Sequence, residues 1–404
     1  MTSHPLAPDW QQLKQTGDER LAQLAELDDI YVLWPRAGSH WTLHLHDYFA
    51  HKTYLADPRF RGYCVVGEPP GGAGAAANPI MPAREASISF QEFTRQRRSK
   101  ARVGLLDFCG TITEWALWRG AHDGIFDFLA HAASRDAVHT YVPLSQERNH
   151  YLDHAARYEA LAATMDARSA RTLFARMQAC LTLDRGPILR TMTPMEFQYF
   201  NGASPQDSFV PRPREVYVDA GASQGEQVLR MAGLLDDLEG SQLWALEPNR
   251  QEFRSLQGLR WLLPLRAQQV IVSDDPGGQV LFRTVVDNPT ASHIVGPQHD
   301  AAWREAHADS IDTLPCVTLD ELIARPVTFI KADVEGGEMA LMRGARGHLA
   351  RPQCRLSIAA YHYPGDLLEM ASFLHSLGRR RLSLRAHHPS LYDLVLYAHE
   401  EPGF

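Results

Sequence analysis

Three acidic side chains and a lysine crowd one short stretch of the chain, "FIKADVEGGEMALMRGA" at 329–345. Lys331, Asp333 and Glu335 alternate with Ile330, Ala332 and Val334, so on a strand end they share one side, and Glu338 follows just past the Gly-Gly corner. Burying such acids together is costly unless a cation or a proton is shared among them. Three explanations fit: a divalent metal, a substrate-binding and proton-accepting cluster, or N-capping by Glu338 combined with an internal pair to Lys331. Further along, "LSIAAYHYPGDL" brings Tyr361 and His362 to a strand end. An imidazole titrates near neutrality and can act as a general base. Asp333, Glu335 and His362 would also make a fair ligand set for a divalent metal, should one bind.

A second chemical stretch is "EVYVDAGASQGEQVL" at 215–229. Gly221-Ala222-Ser223-Gln224-Gly225 fits the spelling of a hydrolase nucleophile elbow, with Ser223 as nucleophile and Asp333 and His362 following in the required order. It fits equally the glycine loop after the first strand of a nucleotide-binding βαβ unit, where backbone N–H groups and a helix N-terminus face the ligand. The next predicted strand, "LWALEPN", ends in Glu247 and Pro248 about 20 residues on, where a carboxylate can accept both ribose hydroxyls. Asp219, Gly221, Gly225 and Glu247 together read as a nucleoside site. Ser273 and Asp274, in "IVSDD", are expected along the same sheet edge beside a base; an ordinary polar turn fits them as well.

These residues need a sheet to hold them. Strands are expected at 215–220, 242–247, 267–273, 280–285, 327–333, 354–361, 380–386 and 393–398, with helices after Gly225, after Pro248, from Glu338 and from Asp366. The last two strands leave no room for a helix between them, so they should pair antiparallel. A doubly wound sheet closed by such a hairpin is the usual architecture of class I methyltransferases. The first 144 residues also alternate strand and helix, with strands expected at 30–35, 60–67, 102–109 and 138–144 and a helical pattern over 111–134, as in a smaller Rossmann-like layer. From Ser145 to about Asp184 the pattern is helical. The expected organisation is therefore α/β throughout: an N-terminal Rossmann-like domain over 1–144, a helical bridge over 145–205, and a methyltransferase-like domain over 206–404.

"VYVDAGASQGEQ", "LWALEPNRQEF", "VTLDEL", "FIKADVEGGEMALMRGA", "YHYPGDL" and "LRAHHPSLYDLVLYA" resemble, in order and spacing, the FkbM family of S-adenosylmethionine-dependent methyltransferases, over roughly residues 195–400. The resemblance implies an O-methyltransferase acting on a hydroxyl of a sugar or secondary metabolite. It places Asp219, Gly221 and Gly225 around the methionine part of the cofactor, with Ala222 and Ser223 in the same loop, and Glu247 on the ribose. Lys331, Asp333, Glu335 and His362 then fall beside the methyl group.

The net charge of −8 argues against a nucleic-acid partner, since phosphate binding draws on concentrated Lys and Arg. No apolar run reaches the roughly 18 residues that span a bilayer, so no membrane partner is expected, and five cysteines without a C-x-x-C pair suggest buried thiols in a reducing cytoplasm. The expected partner is a small hydroxylated molecule, with a homo-oligomer compatible with the sequence. A nucleotide-sugar binding role for the N-terminal half competes with simple substrate recognition. "LLDFCGTIT" at 105–113 resembles a phosphatase signature with nucleophile Asp107, but Cys109 stands where the general acid is needed. "HLHDYFAH" offers His44, His46 and His51, which would diverge on a helix.

Overall fold

The computed structural model describes residues 5–34, 54–65, 87–99, 102–107, 124–137, 141–200, 209, 211–285, 292–296 and 299–400. The chain forms two compact units. One comprises Met1–Ala163, Ala167–Met192 and Ala386–Asp393, and the other Thr164–Asp166, Thr193–Arg385 and Leu394–Phe404. The stretch expected as a bridge is thus divided between them: its helices Leu144–Asp153, Ala155–Ala162 and Ala167–Thr182 fall in the first, and Thr164–Asp166 and the chain from Thr193 in the second.

The first unit is built on strands β1 (Asp29–Trp34), β2 (Phe60–Val65), β3 (Ser87–Ser89), β4 (Val103–Asp107) and β5 (Ile125–Asp127), in the order β3-β2-β1-β4-β5. Every pairing is parallel, which gives the reversal between β1 and β4 typical of a Rossmann-like layer. All five residues of β4 are buried, as expected of a parallel strand covered on both faces. The helical reading of 111–134 is corrected at its described end. There Ile125–Asp127 is a strand, and the Asp127 carboxylate accepts from Leu129 N at 3.0 Å to cap the helix Phe128–Ser134. The strand expected at 138–144 is not found in its described part: Leu144 opens a helix, and 138–140 lie outside the described residues. Residues 108–113 of the phosphatase-like segment and the histidines 44, 46 and 51 also lie outside them. Arg185, fully buried, donates to Asp127 and to the backbone oxygen of Asp107.

The second unit holds a seven-stranded sheet made of β6 (Val216–Ala220), β7 (Gln242–Leu246), β8 (Leu265–Gln268), β13 (Phe329–Ala332), β14 (Arg355–Ala359), β15 (Leu382–Arg385) and β16 (Val395–Ala398), in the order β15-β16-β14-β13-β6-β7-β8. The five strands from β14 to β8 run parallel, and β16 lies antiparallel to both β14 and β15. Tyr217, Phe200, Phe209, Phe329 and Tyr397 pack edge-on or tilted on one side of this sheet, so aromatic contacts fix the register of β6, β13 and β16.

The strand expected at 267–273 is two strands. β8 stops at Gln268, and β9 (Ile271–Val272) turns out of the main sheet to pair with β12 (Ile311–Val317) in a smaller sheet with β10 (Gln279–Arg283) and β11 (His293–Ile294). β12 escaped the sequence reading because "IDTLPCV" carries an acid and Pro315 in mid-strand, both of which demote a strand pattern. Cys64, Cys180, Cys316 and Cys354 are buried free thiols, and Cys109 lies outside the described residues. Among the described residues no helix is long and apolar enough to cross a membrane.

Candidate active site

The glycine loop is folded by two different constraints. Gly221, at φ +70°, closes β6; a Cβ there would lie 1.7 Å from the backbone oxygen of Asp333, so only glycine lets the ends of β6 and β13 approach. Gly225, at φ +91°, would place a Cβ 2.5 Å from Leu259 and 2.9 Å from Leu256, so it sets the contact between the helices Glu226–Leu234 and Arg250–Leu259. Gly221 N and Ala222 N both donate to Leu246 O, at 2.9 and 3.2 Å, which draws the loop over the end of β7.

Glu247 follows β7 and is buried beneath that loop. Its two carboxylate oxygens accept from Ser223 N and Asn249 N, each at 2.8 Å. Burial pushes its carboxyl up to about 7, although both backbone donors oppose the rise. Ser223 stands at φ +46°, and its hydroxyl donates to Glu252 at 2.8 Å. That partner is a carboxylate rather than an imidazole, so the serine lacks the base a nucleophile elbow requires. Pro248 O accepts from Gln269 Nε2 at 3.1 Å, which ties the turn to the chain leaving β8. Ser273 and Asp274 do not extend the main sheet edge as expected. They follow β9 in the small sheet, Ser273 N donating to Val317 O and Asp274 pairing with Arg343.

Asp219 on β6 and Lys331 on β13 form a buried pair at 3.0 Å, with the ammonium also donating to Gly221 O at 2.7 Å. Burial raises the Asp219 carboxyl against the pull of Lys331; burial would lower Lys331, but Asp219 and Asp333 outweigh it and hold the amine above its usual range. This pair underpins the glycine loop. Lys331 therefore points beneath the loop, toward Asp219 and the ring of Tyr199, 5.1 Å away.

The acids beyond β13 converge on His362. Nδ1 of the imidazole lies 3.0 Å from Glu338 Oε1, and Nε2 lies 3.4 Å from Glu335 Oε2 and 3.7 Å from Asp333 Oδ1. Burial alone would lower this histidine, but Glu338, Glu335 and Asp333 outweigh it and hold it well above the usual imidazole range. The three carboxylates thus favour the protonated form of His362. Glu338 also accepts from Val334 N at 2.9 Å, upstream of its own helix; the N-cap of that helix, Gly337, has no side-chain capping bond, so the expected N-cap is not made and Glu338 only stands as an acid in the first turn. Glu335, at φ +53°, is substantially exposed, whereas Glu338 is buried. Asp333, Glu338 and His362 each offer a ligand atom within 4.8 Å of the others, so among the described residues Glu338 stands in the place expected of Glu335 in a set with Asp333 and His362. One residue escaped the sequence reading: the Tyr199 hydroxyl donates to Asp333 Oδ2 at 2.7 Å.

Residues 219–381 match the methyltransferase FkbM domain. The second unit carries an FkbM methyltransferase domain. A crystal structure of methyltransferase FkbM from Methylobacillus flagellatus is similar over 97% of this chain and 100% of that chain, with a TM-score of 0.62 at 18% identity. At that identity the likeness is one of fold. An rRNA methylase from Streptococcus thermophilus (14% identity, 48% of this chain and 90% of that chain, TM-score 0.27) and a precorrin-6y C5,15-methyltransferase from Geobacter metallireducens (13%, 48% and 84%, 0.29) are also similar. No curated protein matches the chain. Within the FkbM domain lie Gly221, Gly225, Glu247 and the Asp333–His362 cluster. Tyr199 lies outside it.

Proposed function

We propose that the protein is an S-adenosylmethionine-dependent O-methyltransferase whose acceptor is a small hydroxylated molecule, a sugar or a secondary metabolite. The observation that carries this reading is the buried Glu247 carboxylate under the glycine loop at the end of the strand next to β6, one strand position on the other side from the Asp333–His362 cluster. Ligands of open α/β sheets bind beyond the carboxyl ends of the strands, and these groups all sit at that edge. The donor set suits the cofactor: Glu247 can accept from ribose hydroxyls, and the loop from Gly221 to Gly225 leads into a helix N-terminus that favours a carboxylate. When bound, S-adenosylmethionine supplies an electrophilic methyl group.

The chain's own residues must orient the acceptor hydroxyl and receive its proton. The sequence offers His362 or, at a metal-free site, Asp333 as the base; Glu338 beside Nδ1 and Glu335 and Asp333 beside Nε2 favour the protonated imidazole, which weighs against His362 in that role. Asp333 is the better candidate, being a quarter exposed and fixed by neighbouring donors. A hydroxyl becomes strongly acidic only as its oxygen is alkylated, so a carboxylate of modest basicity suffices when the proton leaves late. Asp333, Glu338 and His362 would hold a divalent cation, should one bind, and it would lower the pKa of the acceptor hydroxyl. Ser223, with a carboxylate partner, does not favour the hydrolase alternative. The loops after β1 and β4, where a nucleotide-sugar would bind in the first unit, lie outside the described residues.

Titration calorimetry with S-adenosylhomocysteine, followed by a glycoside panel with labelled cofactor, tests the reading. Binding that Glu247→Ala weakens is expected, and the absence of any binding would overturn it.

A further inference from the structure

The geometry points to Tyr199 as a positioning residue of the transfer reaction, supplied from outside the FkbM domain to aim the carboxylate of Asp333. The assignment rests on the methyl-transfer reading above and goes beyond it. Tyr199 precedes β6 and is buried, and its hydroxyl donates to Asp333 Oδ2 at 2.7 Å. Asp333 Oδ1 is left facing Tyr361 OH at 3.4 Å and His362 Nε2 at 3.7 Å. One oxygen is therefore held by a short bond, and the other looks toward looser donors on the side where an acceptor hydroxyl would be received.

The backbone reinforces the point. Tyr199 stands at φ +64°, an uncommon and strained conformation for a bulky residue. Such a conformation persists only when its surroundings impose it. Here Tyr199 N donates to Tyr397 OH at 3.1 Å, and Arg230, from the helix that the glycine loop opens, donates to Gln198 O and Glu196 O and lies over the Phe200 ring at 4.9 Å. The segment is thus fastened to β16 and to the cofactor-side helix. Its ring also covers the Lys331 ammonium. A tyrosine whose hydroxyl holds one oxygen of a partly exposed carboxylate leaves the other oxygen aimed, as a positioning residue must: a carboxylate free to rotate samples several rotamers, and misplacement by an ångström costs orders of magnitude in rate.

A double-mutant cycle decides it, with Tyr199→Phe, Asp333→Asn and the pair, each measured for S-adenosylhomocysteine affinity by calorimetry and for kcat and KM with the best acceptor of the glycoside panel. Tyr199→Phe keeps the ring over Lys331 and removes only the hydroxyl. Cofactor affinity should stay within about twofold of the parent, and kcat should fall about tenfold with KM for the cofactor unmoved. On the Asp333→Asn background the same change should alter kcat less than about twofold, because the tyrosine acts only through the carboxylate. Equal losses on both backgrounds, full activity of Tyr199→Phe, or loss of cofactor binding in that variant would each overturn the assignment. If none of the four proteins bound S-adenosylhomocysteine, the methyl-transfer reading itself would fall and take the assignment with it. If Asp333→Asn alone kept full turnover while binding the ligand, only the positioning argument would fall.

Discussion

Glu247 is the residue whose behaviour can be worked out furthest from the structure. Its carboxyl, ordinarily near 4.5, is lifted by burial to about 7. Ribose hydroxyls donate best to the ionised form, so cofactor affinity should rise with pH through that value. One unit below it only about a tenth of the protein is ionised, and binding should be up to about tenfold weaker than at the alkaline plateau. The same shift sets a stability trend of opposite sense. A carboxyl raised in the folded state gives stability that is fully present below its unfolded value and is lost as pH rises through about 7. The 2.5-unit difference is worth on the order of 3 kcal/mol, recovered in part when a ligand donates to the carboxylate. The perturbation is Glu247→Gln. It removes charge-assisted acceptance worth about 1.5–3 kcal/mol, and it turns an amide NH2 toward either Ser223 N or Asn249 N, leaving one donor unmet at a cost of about 1–3 kcal/mol. Calorimetry with S-adenosylhomocysteine at about pH 6 and about pH 8 should therefore show a parent whose affinity climbs several-fold, and a variant roughly 10 to 100 times weaker at the higher pH with a flat profile. A flat profile in the parent, or a variant that binds as tightly as the parent at about pH 8, would refute the reasoning.

Gly221→Ala should lower Tm sharply and abolish cofactor binding, because the added Cβ meets the Asp333 backbone in a left-handed turn; a variant of near-parental Tm would contradict the close approach of β6 and β13. Ser223→Ala loses one hydrogen bond to Glu252, about 1 kcal/mol, and should keep cofactor binding, while a fluorophosphonate should leave Ser223 unlabelled; labelling there would revive the hydrolase. His362 should be observed by NMR as an imidazolium at neutral pH. Because its folded pKa is raised, the stability it contributes is present below the usual 6.5 and lost as pH rises through the folded value, so Tm should drop on the alkaline side in the parent and not in His362→Gln. Exhaustive chelation should leave turnover unchanged, and loss of activity restored by a divalent ion would place a metal at Asp333, Glu338 and His362.

The parts of the site that could be read from the sequence are those whose partners are near in the chain or whose spacing follows from strand geometry. Gly221 and Gly225 announced a tight turn because glycine is the residue that tolerates such conformations, and Glu247 stood at the strand end where β7 does terminate. What stayed hidden depends on register between distant segments. Lys331 shares a strand face with Asp333 in the sequence, yet the parallel pairing of β13 with β6 sets it opposite Asp219, so it braces the glycine loop from below. Ser273 and Asp274 look like a continuation of β8, but the chain leaves the main sheet after Gln268 because β12, itself disguised by Pro315, offers β9 a partner elsewhere. His362 reads as a base by its intrinsic pKa, and only the meeting of Glu338, Glu335 and Asp333 around it favours the protonated form. Tyr199 gave no signal at all. It precedes Asp333 by 134 residues, belongs to no motif, and reaches the acid because Arg230 and Tyr397 hold its segment in place. The electrostatics of the site thus follow from the sheet order: the same strand pairings that bring the acids together set Lys331 against the buried Asp219 and His362 against the buried Glu338.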